Sequence, residues 1–333
     1  MSGAQRVAIV GGGAWGTALA QCCRRAGRDA VIWARRPETI VAINRDHGNP
    51  DCLPGIALDP AITATDDLAA LAPCGVVLLV TPAQSTRTLC RQLAAILRPT
   101  VPLVICAKGI ERTTGSLLTA VVAAELPSNP VAVLSGPSFA IEVARGLPTA
   151  VTLACADEAI ATTLLETLGS RSFRPYGSDD VIGVQIGGAV KNVLAIACGI
   201  VQGRHLGDSA RAALITRGLA EMARLGIILG ARTETLMGLS GLGDLTLTCT
   251  STQSRNMSLG AALGAGTPLS GILAARHGVT EGVHTAAALV ELAEKHGVEM
   301  PIATTVDSIL KQDADIDAAI AALLNRPFKA ERW

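Results

Sequence analysis

Val7-Ala8-Ile9-Val10-Gly11-Gly12-Gly13-Ala14-Trp15-Gly16-Thr17 decides how the chain is to be read. Four apolar residues form a strand buried on both faces, and a G-x-G-x-x-G turn follows it directly. Gly11 permits the tight turn, Gly13 lets a pyrophosphate approach the backbone, and Gly16 lets the next helix pack closely on the sheet. The orphan N–H groups and positive end of that helix then hold phosphate.

Outward from this turn, short continuous Val/Ile/Leu runs recur at Val7–Val10, Ala30–Ala34, Val76–Thr81, Leu103–Ala107, Val131–Ser135 and Ala150–Ala154. Continuous rather than alternating runs are the mark of parallel strands covered on both faces. Helical stretches such as Gln84–Leu97 and Ser116–Glu125 fall between them. The βα rhythm predicts an open, doubly wound, Rossmann-type sheet with right-handed crossovers. Past Asp180 the pattern turns helical, at Gly188–Gln202, Asp208–Leu229, Met257–Ala265, Thr285–His296, Ala303–Lys311 and Ile316–Leu324. The expected architecture is therefore α/β, with a dinucleotide-binding domain over residues 1–186 and an all-helical substrate domain over 187–333.

The second strand ends Val31-Ile32-Trp33-Ala34-Arg35-Arg36. An NAD-specific site usually has Asp or Glu there, bonded to the adenosine ribose. Two arginines instead offer charge-assisted bonds to a 2′-phosphate. NADPH is therefore expected to be preferred, or at least accepted, alongside NADH.

Of the 333 residues, 49% are hydrophobic and 28 basic residues balance 28 acidic ones. That balance predicts no general attraction to nucleic acid or to an anionic membrane surface. Ile182–Gly203 is apolar enough to raise the question of a membrane span. Lys191, Asn192 and Gln185 at its heart make it a buried helix of a soluble protein instead, so no integral span is expected. The N-terminus lacks the pattern of a signal peptide. Nine cysteines, without a C-x-x-C pair, read as reduced thiols in a cytoplasmic protein. His205, His277 and His284 have no zinc-like spacing to cysteines and are read as structural, and no metal is expected.

Lys191 sits in Gly187-Gly188-Ala189-Val190-Lys191-Asn192. Helical side chains lean back over the residues three and four positions earlier, here two glycines. Open space beneath the ammonium, large enough for a small ligand, is therefore expected. Burial would lower its pKa toward the range useful for proton transfer.

The segment Gly188–Gly199, GAVKNVLAIACG, resembles a signature of the NAD(P)-dependent sn-glycerol-3-phosphate dehydrogenases of bacterial type. GGGAWGTALA at Gly11–Ala20 is similar to that family's cofactor loop, with Ala14 where serine is common. Cys106–Glu111, Ser135–Ala140, Leu239–Leu245 and Ser254–Asn256 match further blocks in order. The resemblance implies interconversion of sn-glycerol 3-phosphate and dihydroxyacetone phosphate, feeding phospholipid synthesis, and a homodimer. It makes Lys191 the catalytic acid/base. Lys108, Gly136, Ser138, Asp244, Ser254, Arg255 and Asn256 join Lys191 in holding the phosphorylated triose. Gly11, Gly13, Ala14, Trp15, Gly16, Arg35, Arg36, Lys108, Ala140, Arg255, Val279 and Glu281 fall to the cofactor. Two rival readings are a two-domain dehydrogenase for a hydroxy acid or sugar acid, and a non-catalytic dinucleotide sensor whose helical domain binds a protein.

Overall fold

A computed structural model describes residues 6–275, 278–312, 314–327 and 330. Among these the chain forms two compact units. The first runs to Ala107 and resumes over Leu118–Val181; the second takes Lys108–Leu117 and everything from Ile182 onward. The division expected at 186/187 thus differs in two ways. The observed break falls between Val181 and Ile182, within the first turn of a long helix, and the second unit also claims the ten residues Lys108–Leu117 that follow the fifth strand.

The first unit is built on one eight-stranded sheet: β1 (Val7–Val10), β2 (Ala30–Trp33), β3 (Thr63–Thr65), β4 (Val76–Leu79), β5 (Leu103–Ile105), β6 (Val131–Ser135), β7 (Thr149–Cys155) and β8 (Phe173–Ser178). Their order is β3-β2-β1-β4-β5-β6-β7-β8. Val7 pairs in register with Ala30 on one side and Val76 on the other. All pairings are parallel except β6 with β7. The central runs are buried as expected, with Ile9, Ile32, Leu78 and Leu103 wholly enclosed. The two strands that the apolar runs do not announce are the edge strands. Thr-Ala-Thr in β3, and Pro175 and Gly177 in β8, are tolerated because an edge strand need not be apolar on both faces or donate every N–H.

The helices of this unit are α1 (Ala14–Arg25), α2 (Pro37–Asp46), α3 (Thr86–Ala94), α4 (Leu118–Glu125), α5 (Ala140–Arg145) and α6 (Glu158–Leu168). Pro37 opens α2, where its missing N–H costs nothing, and the Asp157 carboxylate caps α6 by accepting from Ile160 N. Arg25 donates to the carbonyls of Val143 and Ala144 and so ties α1 to α5.

The second unit is helical: α7 (Val181–Gly203), α8 (Asp208–Ile228), α9 (Thr233–Leu236), α10 (Asp244–Thr250), α11 (Arg255–Gly264), α12 (Leu269–Ala274), α13 (Glu281–Lys295), α14 (Pro301–Gln312) and α15 (Ile316–Leu324). Its one β pairing among the described residues is an isolated bridge, Ile110 to Leu117. By length and composition α7 could cross a membrane, but 89% of its apolar window is buried, and its Val190, Val193, Leu194 and Ile196 belong to this unit's own core. A soluble protein's central helix has this character. Glycines bring α7 into backbone contact with α11. A Cβ on Gly199 would overlap Met257 O, and one on Gly260 would overlap Ile196 O. The buried Glu221 on α8 accepts from Ile302 N (2.8 Å) and Ala303 N (3.2 Å), satisfying the first turn of α14.

Candidate active site

In the first unit the glycine-rich turn lies where the sheet order reverses, between β1 and β4, the usual ligand position in such sheets. Gly11 has φ +134, and a Cβ there would lie 3.0 Å from Val80 C. At Gly16 a Cβ would overlap Gly11 O, so the helix can approach the turn only with glycine in place. Gly13 differs: a Cβ on it would meet nothing within 4 Å. Gly13 is the N-cap of α1 and offers no side-chain cap, and Ala14 and Trp15 open the helix beyond it. The N-terminus of α1 thus starts at a glycine with open space beside its Cα, and the first N–H groups of a helix have no partner within the helix itself. The buried Trp15 Nε1 has no hydrogen-bond partner among the described residues.

Arg35 and Arg36 emerge exposed just beyond β2. Asn49 is fully enclosed and ties the following loop to the glycine turn, donating to Gly12 O (3.0 Å) and Thr17 Oγ1 (2.8 Å). Gly136, Ser138 and Ala140 lie on the turn between β6 and α5 of the same unit. Gly136 has φ +145, and a Cβ would stand 2.8 Å from Val151 Cα, so only glycine lets this turn lie against β7. Ser138 Oγ donates to Gly136 O (3.0 Å).

In the second unit Lys108, Lys191 and Asp244 form one charge cluster. Asp244 Oδ1 lies 2.8 Å from Lys191 Nζ, and its Oδ2 lies 2.6 Å from Lys108 Nζ. Lys191 Nζ also donates to Thr248 Oγ1 (2.8 Å), which itself donates to Asp244 Oδ1 (3.2 Å). The carboxylate is essentially enclosed, at 1% exposure, and Lys191 nearly so, at 8%. At Gly187 the space expected beneath Lys191 is not open: a Cβ there would overlap Ser240 O and sit 3.1 Å from Gly241 Cα. The glycine admits the Leu239–Gly243 turn, and that close approach delivers Asp244 to the lysine.

Burial is the largest influence on Lys191, and Lys108 adds to it; the Asp244 carboxylate pulls the other way. The net effect is an ammonium brought down from 10.5 to about 8. Asp244 is also penalised by burial, but the two ammoniums override this and hold it below its ordinary value. With both lysines protonated the cluster carries one net positive charge.

A chain of amides extends from it. Asn192 Nδ2 donates to Lys108 O (2.9 Å), Asn256 Nδ2 to Asn192 Oδ1 (2.9 Å), and Gly282 N to Asn256 Oδ1 (2.9 Å). Ser254 caps α11 by accepting from Met257 N (3.2 Å), and Arg255 is that helix's first residue. Gly278 lies against Arg255, its would-be Cβ 3.1 Å from Arg255 Nη1, so the segment bearing Val279 and Glu281 reaches the same neighbourhood. Thr248, Asn192 and Asn49 carry no role in the sequence reading. The i,i+4 spacing of Asp244 and Thr248 on α10 was the available signal for the first. His205 sits exposed at a left-handed turn and His284 in the first turn of α13. His277 lies outside the described residues. Among those described, no group of three His, Cys, Asp or Glu side chains could hold a metal.

A glycine-rich turn at the switch point of a largely parallel sheet in one unit and a buried lysine–carboxylate cluster in the other are features of a dinucleotide-dependent oxidoreductase. Profiles described as NAD-dependent glycerol-3-phosphate dehydrogenase N-terminus and C-terminus match residues 6–161 and 180–321. The glycerol-3-phosphate dehydrogenase [NAD(P)+] of Parvibaculum lavamentivorans is 59% identical over 327 residues, 98% of each chain. That of Rhodospirillum rubrum is 58% identical, over 98% of this chain and 93% of its own. The solved glycerol-3-phosphate dehydrogenase of Coxiella burnetii superposes with a TM-score of 0.93 at 41% identity, covering 97% of this chain and 99% of its own. The chain belongs to the NAD-dependent glycerol-3-phosphate dehydrogenase family.

Proposed function

We infer that the protein interconverts sn-glycerol 3-phosphate and dihydroxyacetone phosphate with NAD(P)H, Lys191 being the acid/base. The observation that carries the residue assignment is the carboxylate shared between Lys191 and Lys108, with Lys191 tuned to about 8. When bound, the nicotinamide supplies or accepts a hydride at C2 of the substrate. In reduction the C2 oxygen gains negative charge, and the Lys191 ammonium gives it a proton. In oxidation the neutral amine takes that proton back. A value near 8 keeps both forms within reach at physiological pH, the condition for efficient acid–base catalysis. Asp244 holds Lys191 in place and lets two ammoniums coexist away from water. Lys108 adds positive charge where the oxyanion develops.

Ser254, Arg255 and Asn256 open α11, where N–H groups, a guanidinium and the helix dipole favour the substrate phosphate. Gly136 and Ser138 are assigned to the substrate as well. Gly11, Gly13, Ala14, Trp15, Gly16 and Ala140 are assigned to the cofactor, with Lys108, Arg255, Val279 and Glu281; Arg35 and Arg36 take the 2′-phosphate and favour NADPH. By family resemblance the enzyme works as a cytoplasmic homodimer supplying glycerol 3-phosphate for phospholipid synthesis. The nine cysteines are thiols and not disulfides, which supports a reducing compartment.

Lys191→Ala should lower turnover with dihydroxyacetone phosphate by about 10²–10⁴-fold while NADPH fluorescence titration shows unchanged binding. Near-normal turnover in that variant would remove the acid/base assignment.

A further inference from the structure

Arg36 already has a partner. Its Nη1 lies 3.3 Å from Asp51 Oδ2, and its Nη2 reaches within 4.0 Å of Cys52 Sγ. No ion pair to Arg35 is present among the described residues. The turn that carries Asp51 is built to stay in place. Cys52 N and Leu53 N both donate to Asn49 O (3.1 and 2.7 Å), closing the turn on itself. The Asn49 side chain then anchors it to Gly12 O and Thr17 Oγ1 of the glycine-rich loop. A carboxylate is thus held beside the two arginines that follow β2.

We propose that Asp51 is a specificity-determining residue for the cofactor, competing with a 2′-phosphate for Arg36 and so admitting NADH alongside NADPH. This rests on the reading of Arg35 and Arg36 as the 2′-phosphate site. A 2′-phosphate dianion approaching Arg36 must displace Asp51 or share the guanidinium with it, and it meets a like charge in doing so. The 2′-hydroxyl of NADH carries no charge and leaves the ion pair intact. The penalty therefore falls on NADPH alone. Both side chains are more than half exposed, so solvent screens the pair and the effect is modest.

The test is a set of binding titrations with Asp51→Asn, Asp51→Glu and Arg36→Ala. Nicotinamide fluorescence gives the Kd for NADPH and NADH, and calorimetry gives it for 2′,5′-ADP and 5′-AMP. Asp51→Asn should raise the preference for the 2′-phosphorylated member of each pair by about 2- to 5-fold. Asp51→Glu should return it toward that of the parent, and Arg36→Ala should collapse it. A preference that Asp51→Asn leaves unchanged, or equal losses for both members of a pair, would overturn the proposal. If Arg36→Ala still shifts the preference, only the role of Asp51 falls. If neither Arg36→Ala nor Arg35→Ala moves it, the underlying 2′-phosphate reading falls as well.

Discussion

The first unit buries polar side chains that are almost all neutral, such as Thr17, Gln21, Asn49 and Asn129; Asp180, one residue before its last, is the charged exception among those described. The second buries Glu111, Lys191, Glu221, Asp244 and Asp307. The role proposed for each unit accounts for the contrast. A turn that grips phosphates can do so with backbone N–H groups and needs no charge removed from water. The acid/base role proposed for Lys191 does need one, because burial is the largest of the influences that bring its ammonium from 10.5 down to about 8. Every buried charge of the second unit is accordingly provided for: Glu111 accepts from Thr114 Oγ1, Glu221 from two backbone N–H groups, Asp307 pairs with Lys311, and Asp244 serves two lysines.

The largest test of this contrast removes that shared charge. Asp244→Asn leaves two ammoniums side by side in a buried site, and breaking a buried pair from one side costs about 3–5 kcal/mol. Lys191 can escape part of that cost by losing its proton. Its folded-state pKa, already below 10.5, falls further, so the variant gains stability as pH rises through that lowered value toward 10.5. Urea denaturation should show the full loss at pH 6 and a smaller one at pH 9. Equal losses at both pH values would mean that the cluster's charge is not what Asp244 balances.

Glycines divide in the same way, and substituting one from each unit sharpens the point. Gly199→Ala drives a methyl into the Met257 carbonyl on α11 and should cost about 1–3 kcal/mol, read as a lower urea midpoint. Gly13 has φ −81, which alanine adopts freely, and free space beyond it. Gly13→Ala should change stability by no more than ~0.5 kcal/mol while weakening NADPH binding, because the methyl enters the space proposed for the pyrophosphate. A stability loss in Gly13→Ala to match that in Gly199→Ala would erase the distinction between a glycine kept for a ligand and one kept for packing.

How much of this was legible in the chain follows from which interactions are local. β1, the glycine turn and α1 are dictated by neighbours within eleven residues, and they stand where the sequence puts them. α15 likewise spans Ile316–Leu324, as its composition suggests. The edge strands β3 and β8 escaped because nothing in Thr-Ala-Thr or Phe-Arg-Pro-Tyr-Gly-Ser signals a partner. Lys191 stands out as a charge in an apolar helix, but Gly187 beneath it admits a distant backbone instead of open space. Space beneath a helical glycine looks the same in sequence whether a ligand or a distant backbone fills it. Asp244 and Lys108 were placed through family blocks rather than physics, since a contact across 136 positions has no local trace. Thr248 was overlooked for a different reason: its hydroxyl matters only once Lys191 is known to reach it.

That hydroxyl carries the smallest effect and the finest test. Thr248 Oγ1 accepts from Lys191 and donates to Asp244, so it stabilises the ammonium directly and fixes the carboxylate that does the same. Valine has nearly the same shape and removes only the polar contact. A hydrogen bond of this kind is worth about 0.5–1.5 kcal/mol net, which corresponds to about one pH unit or less in the lysine's pKa. The ammonium form is lost first in the variant. Its reduction of dihydroxyacetone phosphate should therefore decline at a lower pH than the parent's, whose limb should follow the Lys191 ammonium at about 8. Oxidation of glycerol 3-phosphate, which needs the neutral amine, should rise at a correspondingly lower pH. Thr248→Ser, keeping the hydroxyl, should restore both limbs. Superimposable pH profiles for Thr248→Val and the parent would show that the lysine is tuned by burial and Asp244 alone, and a uniform drop at every pH would show that Thr248 positions without tuning.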